Sequence, residues 1–302
     1  MKTADSIKNV LIVGSGTLGL RIALQSAISG FEVRMYDRTI TQLESAQRLQ
    51  QKLLGKQVDR GLVPADAYNA ILLRITTTDD LAHAAAEADF VSESITEDLN
   101  NKIKCWEELS DLVPTEAVLT TNTSYLLPSQ MADHVVEPSR FCAFHFHDVF
   151  WANVVDIMPH PGTAPWVTDM LVDLGKKMDQ TPVIVRSEHS GYLFNHMLIS
   201  FLGAAGDLLA NGVASIEDID RSWMGNFKMR SGPFGILDEV GLDTAWHIIK
   251  ARKDRPSQQF AALLRSYLDQ GKLGVKSGAG FYNYPNAAFK SKDFVTRAAN
   301  ES

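Results

Sequence analysis

The sequence has few cysteines, no excess of positive charge and no long apolar run. Cys105 and Cys142 are too few for a disulfide framework and are typical of a protein in a reducing cytosol. The formal net charge of -7 argues against broad binding to nucleic acids or anionic membranes. No apolar segment reaches the roughly 18 residues that span a bilayer, and the opening MKTADSIKN has no apolar signal core. We therefore expect a cytoplasmic protein with no nucleic-acid or membrane partner.

The remaining composition is that of an ordinary globular protein, with 45% hydrophobic and 22% charged residues. A chain of 302 residues is long enough for two domains, each with its own core. Short β-branched segments alternate with helical segments up to residue 187, which predicts an α/β, Rossmann-type doubly wound parallel sheet. Long apolar helices follow without further strands. We predict a nucleotide-binding domain over 1–187 and an all-α domain over 188–302.

The strongest motif is the glycine-rich segment between the first predicted strand and the first predicted helix. Gly14-Ser15-Gly16-Thr17-Leu18-Gly19 follows the strand 9–13 at once and fits G-x-G-x-x-G. Gly14 permits the tight turn, Gly16 lets a pyrophosphate approach the backbone, and Gly19 lets the helix pack closely on the strand. The free N–H groups at the helix start, where Thr17 and Leu18 lie, and the helix dipole would hold the phosphates.

An acidic residue stands where a nucleotide ribose would lie. Asp37 follows the second predicted strand and can accept hydrogen bonds from both ribose hydroxyls. A carboxylate there repels a 2′-phosphate, so the predicted cofactor is NAD rather than NADP, although the adjacent Arg38 weakens that preference. The alternative is a glycine turn that serves packing alone.

A polar cluster follows the strand predicted over 117–121, at the sheet edge where parallel sheets bind ligands. The cluster is Thr121-Asn122-Thr123-Ser124, and we assign Asn122 to the cofactor site. The alternative for any one of these residues is a helix N-cap before Leu126.

Two histidines and one acid mark a second candidate group. His145 and His147 lie two apart on a predicted strand and so project from one face. Asp156 lies inside an apolar run on the next strand, and a buried carboxylate needs a partner, for which a histidine is suited. Such an acid fixes the tautomer of an imidazole base and stabilises its protonated form. The alternatives are two edge histidines beside a solvated acid, or a His-x-His metal pair with Asp148. We predict no bound metal.

An amide interrupts the apolar helix GYLFNHMLISFL. Asn195 must find hydrogen-bond partners if it is buried there. It makes either a hydrogen bond within the core or a contact to a ligand.

Seven segments together resemble the L-3-hydroxyacyl-CoA dehydrogenase family. They are, in chain order, VGSGTLG, VSESITEDLNNK, NTSYL, RFCAFHF, SGYLFNHML, SGPFGILDEVGLD and GKLGVKSGAGFYNY. The resemblance implies NAD-dependent oxidation of the 3-hydroxyl of an acyl-CoA thioester by a homodimer, whose helical domain forms the dimer contact.

The resemblance also implies roles for particular residues. His145 matches the catalytic histidine and Asp156 its acidic partner, which is usually Glu. Ser124 and Asn195 match residues near the substrate oxygen. The remaining two matches flank the nicotinamide side of the cofactor site and are Glu97 and Lys102.

The chain departs from the family where the family usually has His-Phe-Phe-Asn-Pro. It has His145-Phe146-His147-Asp148-Val149 and is one residue shorter before Asp156. MPHPGTAP and Arg230 resemble relatives that oxidise small hydroxy acids, such as L-gulonate and carnitine dehydrogenases. Arg230 could hold a carboxylate as a bidentate fork or be a surface residue.

An acyl-CoA instead needs cations for its phosphates. The candidates are Lys52, Lys56 and Arg60, each of which could equally belong to a solvated helix face. A third alternative is an NAD-binding structural or regulatory protein that has lost its activity.

Overall fold

The computed structural model describes residues 2–296, and the chain divides into two compact units, Met1–Leu193 and Phe194–Ser302. The division lies after the predicted boundary at 187/188. The first unit continues to residue 193 because Tyr192 packs with Ala143, Met158 and Val185 in a small apolar cluster. Within residues 2–296, every helix is too short or too polar to cross a membrane.

The first unit is built on one sheet of eight strands. In chain order these are β1 (Asn9–Val13), β2 (Glu32–Tyr36), β3 (Ile75–Thr78), β4 (Phe90–Glu93), β5 (Val118–Thr121), β6 (Phe141–Phe146), β7 (Val154–Pro159) and β8 (Thr181–Ile184). Their order across the sheet is β3-β2-β1-β4-β5-β6-β7-β8. The strand order changes direction between β1 and β4, so the carboxyl ends of these two strands form the crevice where doubly wound sheets bind ligands.

The predicted fold class is confirmed, but the sheet is not parallel throughout. Strands β1 to β6 are parallel, β7 is antiparallel to β6, and β8 is parallel to β7. The link between β6 and β7 covers only 147–153, too short for the crossover that a parallel pair requires. The chain therefore returns alongside β6 in the opposite direction.

Helices cover both faces of the sheet. They are α1 (Thr17–Ile28), α2 (Ile40–Asp59), α3 (Tyr68–Leu73), α4 (Leu81–Ala85), α5 (Leu99–Leu109), α6 (Ser129–Ala132) and α7 (Pro165–Lys177). The burial of strand β1 explains why its residues are apolar at successive positions. Val10 and Ile12 belong to one buried core, and Leu11 and Val13 belong to the core on the other face. A strand buried on both faces has no polar side, as expected for a central parallel strand.

The second unit is helical, as predicted. Its helices are α8 (Phe194–Ala210), α9 (Ile216–Phe227), α10 (Pro233–Val240), α11 (Leu242–Ile249) and α12 (Arg255–Leu268). A Cβ atom on Gly206 would lie 2.3 Å from the ring of Phe260, so a glycine is required where α8 meets α12. The glycine-rich loop after α12 packs on these helices through Phe281 and Tyr282, whose N–H groups donate to the carboxylate of Asp238 at 2.8 and 2.9 Å.

Candidate active site

The glycine turn after β1 has the geometry that a dinucleotide requires. Gly14 has φ of +102°, and a Cβ there would lie 2.7 Å from the carbonyl oxygen of Ser94. A Cβ on Gly19 would lie 2.0 Å from the carbonyl oxygen of Gly14, so α1 packs directly on the turn. Around Gly16 there is no atom within 4 Å of the corresponding position. The turn is therefore tight on its protein side and open at the glycine that a pyrophosphate would approach.

The first turn of α1 supplies the donors for the phosphates. The helix begins at Thr17, with Gly16 as its N-cap residue. The N–H of Leu20 donates to Gly16 at 3.0 Å, so helical hydrogen bonding starts after the positions of Thr17 and Leu18. N–H groups in a first helical turn have no partner within the helix and, together with the helix dipole, favour an anion.

Asp37 borders a cleft of about 520 Å³ that also includes Gly14, Gly16, Arg38 and Glu108. Its Oδ2 accepts hydrogen bonds from the N–H and the hydroxyl of Ser15, at 2.9 and 2.7 Å. Its Oδ1 accepts the N–H of Thr39 at 3.1 Å. The carboxylate thus ties the end of β2 to the glycine turn. Arg38 pairs with Glu108 at 3.1 Å across the same cleft.

The antiparallel pairing of β6 and β7 brings the two histidines and the acid together. His145 and Asp156 are directly paired in the register of the two strands. Nδ1 of His145 lies 3.2 Å from Oδ2 of Asp156, and Nε2 of His147 lies 2.9 Å from the same oxygen. Asp156 is 1% exposed and His145 3% exposed, so the solvated alternative does not describe these two residues.

The two partners have pKa values that suit a neutral base beside an anion. Burial lowers the pKa of His145 and outweighs the opposing effect of the hydrogen bond that the imidazole donates to Asp156, and the neighbouring His147 lowers the pKa further. Burial acts to raise the pKa of Asp156, but hydrogen bonds from His145 and His147 hold that pKa below its usual value. The imidazole is therefore neutral and the carboxylate ionised near neutral pH, and Nε2 of His145 is the nitrogen that does not face Asp156.

Tyr192 is a part of this site that the sequence reasoning missed. Its ring stacks on the imidazole of His145, with centroids 4.7 Å apart and planes inclined by 20°. Its backbone is left-handed, with φ of 53°. The buried hydroxyl has no hydrogen-bond partner among residues 2–296. Such stacking fixes the imidazole plane. The sequence contains only the tyrosine of SGYLFNHML, far from β6 along the chain, and nothing in it indicates that this ring contacts His145.

Glu97 holds the polar turn after β5. Its Oε1 accepts the N–H groups of Ser124 and Tyr125 at 2.9 and 2.8 Å and the hydroxyl of Thr123. The hydroxyl of Thr123 also accepts the N–H of Leu126 at 3.0 Å, so Thr123 is the member of the cluster that caps the turn. Glu97 thereby sets the position of the turn that carries Ser124.

Two of the predicted residues serve a structural network. The amide oxygen of Asn122 accepts the N–H of Phe146 at 2.8 Å, between the two histidines. Lys102 is fully buried and lies 2.7 Å from Glu93 and 3.8 Å from Glu97. Glu93, which the sequence reasoning missed, is also fully buried and accepts the hydroxyl of Thr121 at 2.7 Å. These contacts link β4, α5 and β5 beneath the turn.

Asp148 does not join the histidines, contrary to the alternative of a His-x-His metal pair with Asp148. Its carboxylate pairs with Arg21 of α1, and its Oδ1 accepts the N–H of Trp151 at 2.9 Å. The next residue, Val149, is buried with φ of 83°, a left-handed conformation that is strained for a β-branched side chain. The departure at His147-Asp148-Val149 is therefore a defined loop held by α1.

The remaining predicted site residues lie on α2, at its C-terminal end, or in the second unit. Lys52 and Lys56 are exposed on α2, and Arg60 is exposed at its C-terminal end. Asn195 is half-buried in α8, and Arg230 is exposed after α9. Their assignments stay predictions.

Comparison with known proteins identifies close similarity over nearly the whole chain. The NAD-binding domain of 3-hydroxyacyl-CoA dehydrogenase matches residues 9–188, and the C-terminal domain of 3-hydroxyacyl-CoA dehydrogenase matches 191–284. A probable 3-hydroxyacyl-CoA dehydrogenase of Caenorhabditis elegans is 31% identical over 290 residues, covering 93% of this chain and 94% of its own length.

Two solved structures have the same overall fold. A diketoreductase, described as acting on dicarbonyl compounds, has a TM-score of 0.88 and 35% identity, covering 94% of this chain and all of its own. The (S)-3-hydroxybutyryl-CoA dehydrogenase of Ralstonia eutropha has a TM-score of 0.84 and 26% identity, covering 93% of this chain and all of its own.

Proposed function

The chain belongs to the 3-hydroxyacyl-CoA dehydrogenase family and is an NAD-dependent dehydrogenase, and from this premise we propose its substrate and catalytic residues. The proposed reaction interconverts a short-chain 3-hydroxyacyl-CoA and the 3-ketoacyl-CoA, with His145 as base and Asp156 as its partner. The observation that carries the proposal is the contact between Nδ1 of His145 and the buried carboxylate of Asp156, at 3.2 Å.

The cofactor cleft fits NAD on its own geometry. The open position at Gly16 and the donors of the first turn of α1 would hold the pyrophosphate. Asp37 presents a carboxylate at the end of β2, suited to ribose hydroxyls and unfavourable to a 2′-phosphate. A bound NAD would accept the hydride.

The protein would supply the proton transfer and the alignment. His145 takes the hydroxyl proton on Nε2, because Nδ1 is committed to Asp156. Asp156 then stabilises the imidazolium, and the stacked ring of Tyr192 keeps the imidazole in plane. In the proposal, Ser124 holds the reacting oxygen, and the turn fixed by Glu97 sets the position of Ser124.

A small substrate without CoA is the second candidate. Two observations favour it: the similarity to a diketoreductase and the loop at His147-Asp148-Val149, which replaces the usual Asn-Pro element. A small hydroxy acid or dicarbonyl compound needs one protein group that binds its carboxylate or carbonyl oxygen, and Arg230 is the candidate. An acyl-CoA needs cations for its phosphates, for which Lys52, Lys56 and Arg60 are the candidates.

Location and assembly complete the proposal. The low cysteine content suits a cytoplasmic protein, and the apolar helices of the second unit suit a homodimer, as in the family pattern. Light scattering at several concentrations should give the mass of a dimer. A monomer mass at every concentration would contradict the assembly without affecting the proposed reaction.

A substrate panel tests the function. NADH formation would be followed with 3-hydroxybutyryl-CoA, L-gulonate and carnitine, and NADH consumption with acetoacetyl-CoA and acetylacetone. We expect the highest kcat/KM with the CoA thioesters. A preference for acetylacetone or gulonate would favour the second candidate. Tight NAD binding without turnover of any of the five compounds would identify a structural or regulatory NAD-binding protein.

Charge-removing variants separate the two substrate classes. Removing the charges of Lys52, Lys56 and Arg60 together should raise KM for an acyl-CoA and leave kcat nearly unchanged, because those groups are predicted to contact only the phosphates. Arg230→Ala should have little effect on that substrate. The opposite pattern would support a small acid.

A further inference from the structure

His147 gives this site a third ligand atom of the kind that transition metals prefer. One ligand atom from each of His145, His147 and Asp156 lies within 4.8 Å of the other two. From this geometry we propose that the three side chains form a reversible binding site for a borderline divalent cation such as Zn²⁺. Where the family pattern has Phe at the position of His147, only two of the three ligands would be present.

Two of the three spacings between the ligand atoms already suit a metal. Zinc binds imidazole nitrogen and carboxylate oxygen at about 2.0–2.1 Å, so two ligands of a tetrahedral ion lie roughly 3.3 Å apart. The two nitrogen-to-Oδ2 distances are 3.2 and 2.9 Å, already close to that spacing. The imidazole of His147, whose centroid is 4.7 Å from that of His145, would turn so that its nitrogen points at the same centre, while the ring of His145 stays stacked on Tyr192.

The donor set decides which cation binds. Two imidazoles and one carboxylate suit Zn²⁺, Co²⁺, Ni²⁺ and Cu²⁺, whereas Mg²⁺ and Ca²⁺ prefer all-oxygen sites. Asp148 is not a fourth ligand, because its carboxylate pairs with Arg21. Three protein ligands leave one coordination position open to water.

Occupancy of this site is incompatible with base catalysis by His145. A metal on Nδ1 requires that the neutral ring carry its one hydrogen on Nε2, the nitrogen that otherwise accepts the substrate proton. The bound ion would also take the carboxylate that stabilises the imidazolium. Inhibition by Zn²⁺ is thus a consequence that rests on the proposed function, while binding of the ion rests on geometry alone.

Cobalt binding tests the site without substrate. Protein stripped with EDTA would be titrated with Co²⁺, and the visible ligand-field absorption recorded. We expect one Co²⁺ per chain, displaced by Zn²⁺ and removed by EDTA. His147→Phe and His147→Gln should each weaken binding by at least about tenfold, since even indirect contacts to a metal are worth 10–100-fold. NAD binding by both variants would show that they are folded.

A matched control removes another histidine–carboxylate pair. His134 lies 2.7 Å from Glu107 on the surface of the same unit, with a single imidazole, so His134→Phe should bind Co²⁺ as the unmodified protein does. The proposal is overturned if Co²⁺ gives no ligand-field absorption, or if either folded His147 variant binds it as tightly as the unmodified protein. Loss of binding in His134→Phe alone would place the ion on the surface pair and overturn it equally. These outcomes leave the proposed dehydrogenase activity intact.

Discussion

Replacing Asp156 by asparagine removes the negative charge beside the base and keeps the shape of the side chain. Oδ2 of Asp156 accepts from both histidines, and the residue is 1% exposed, so no solvent replaces the lost charge. A hydrogen bond to a charged group contributes about 1.5–3 kcal/mol. The carboxylate of Asp156 is already charged, and its bond to His145 strengthens to an ion pair when the imidazole takes the proton, so we take this range for the loss in the transition state. At about 1.4 kcal/mol for each factor of ten, kcat should fall about 10- to 150-fold.

The assay is the steady-state rate of NADH formation at saturating NAD, with the best substrate of the panel. The dissociation constant for NAD should not change, because the glycine turn and Asp37 are untouched. Asp148→Asn is the matched control: it removes a carboxylate from the adjacent loop that pairs with Arg21, and kcat should stay close to that of the unmodified protein. An undiminished kcat in Asp156→Asn would refute the assignment of Asp156 as partner of the base.

Three further predictions concern other parts of the chain. Asp37→Asn should weaken NAD binding and reduce the discrimination against NADP, measured by titration with both; unchanged preference would remove the ribose assignment. The pH profile of kcat/KM for oxidation should fall only below about pH 6.5, because burial keeps the pKa of His145 under its usual value; a fall beginning well above that pH would contradict this. Burial raises the pKa of Asp220 to about 6, so this group stabilises the second unit most at acidic pH, and the stabilisation is lost as pH rises through about 6. The unfolding free energy of the unmodified protein relative to Asp220→Asn should therefore decrease between about pH 4 and pH 7 in urea titrations; an increase would contradict this.

The features that local sequence determines were predictable. G-x-G-x-x-G between a strand and a helix predicted the tight contacts at Gly14 and Gly19, because only glycine fits there. Two buried-strand patterns placed His145 and Asp156 on adjacent strands, and the cost of burying a carboxylate predicted their contact. Asp37 after the second predicted strand indicated NAD, and the apolar helical segments after residue 187 indicated the helical second domain.

The features that depend on distant contacts were not predictable. Asp148 finds its partner Arg21 127 positions earlier in the chain, and nothing near Asp148 in sequence indicates α1. Tyr192 reaches the imidazole of His145 by a left-handed backbone turn, which a tyrosine does not signal. These contacts arise from the tertiary structure, and neither the hydrophobic pattern of the sequence nor local secondary-structure propensity indicates them.

The central claim is that His145 is the base of an NAD-dependent dehydrogenase. The most direct measurement compares kcat for NADH formation from 3-hydroxybutyryl-CoA in the unmodified protein, His145→Ala and His147→Ala, with NAD binding measured in each. A general base contributes roughly 10²–10⁴-fold, so His145→Ala should lose about that factor while still binding NAD, and His147→Ala should lose much less. A greater loss in His147→Ala, or equal rates in His145→Ala and the unmodified protein, would contradict the account.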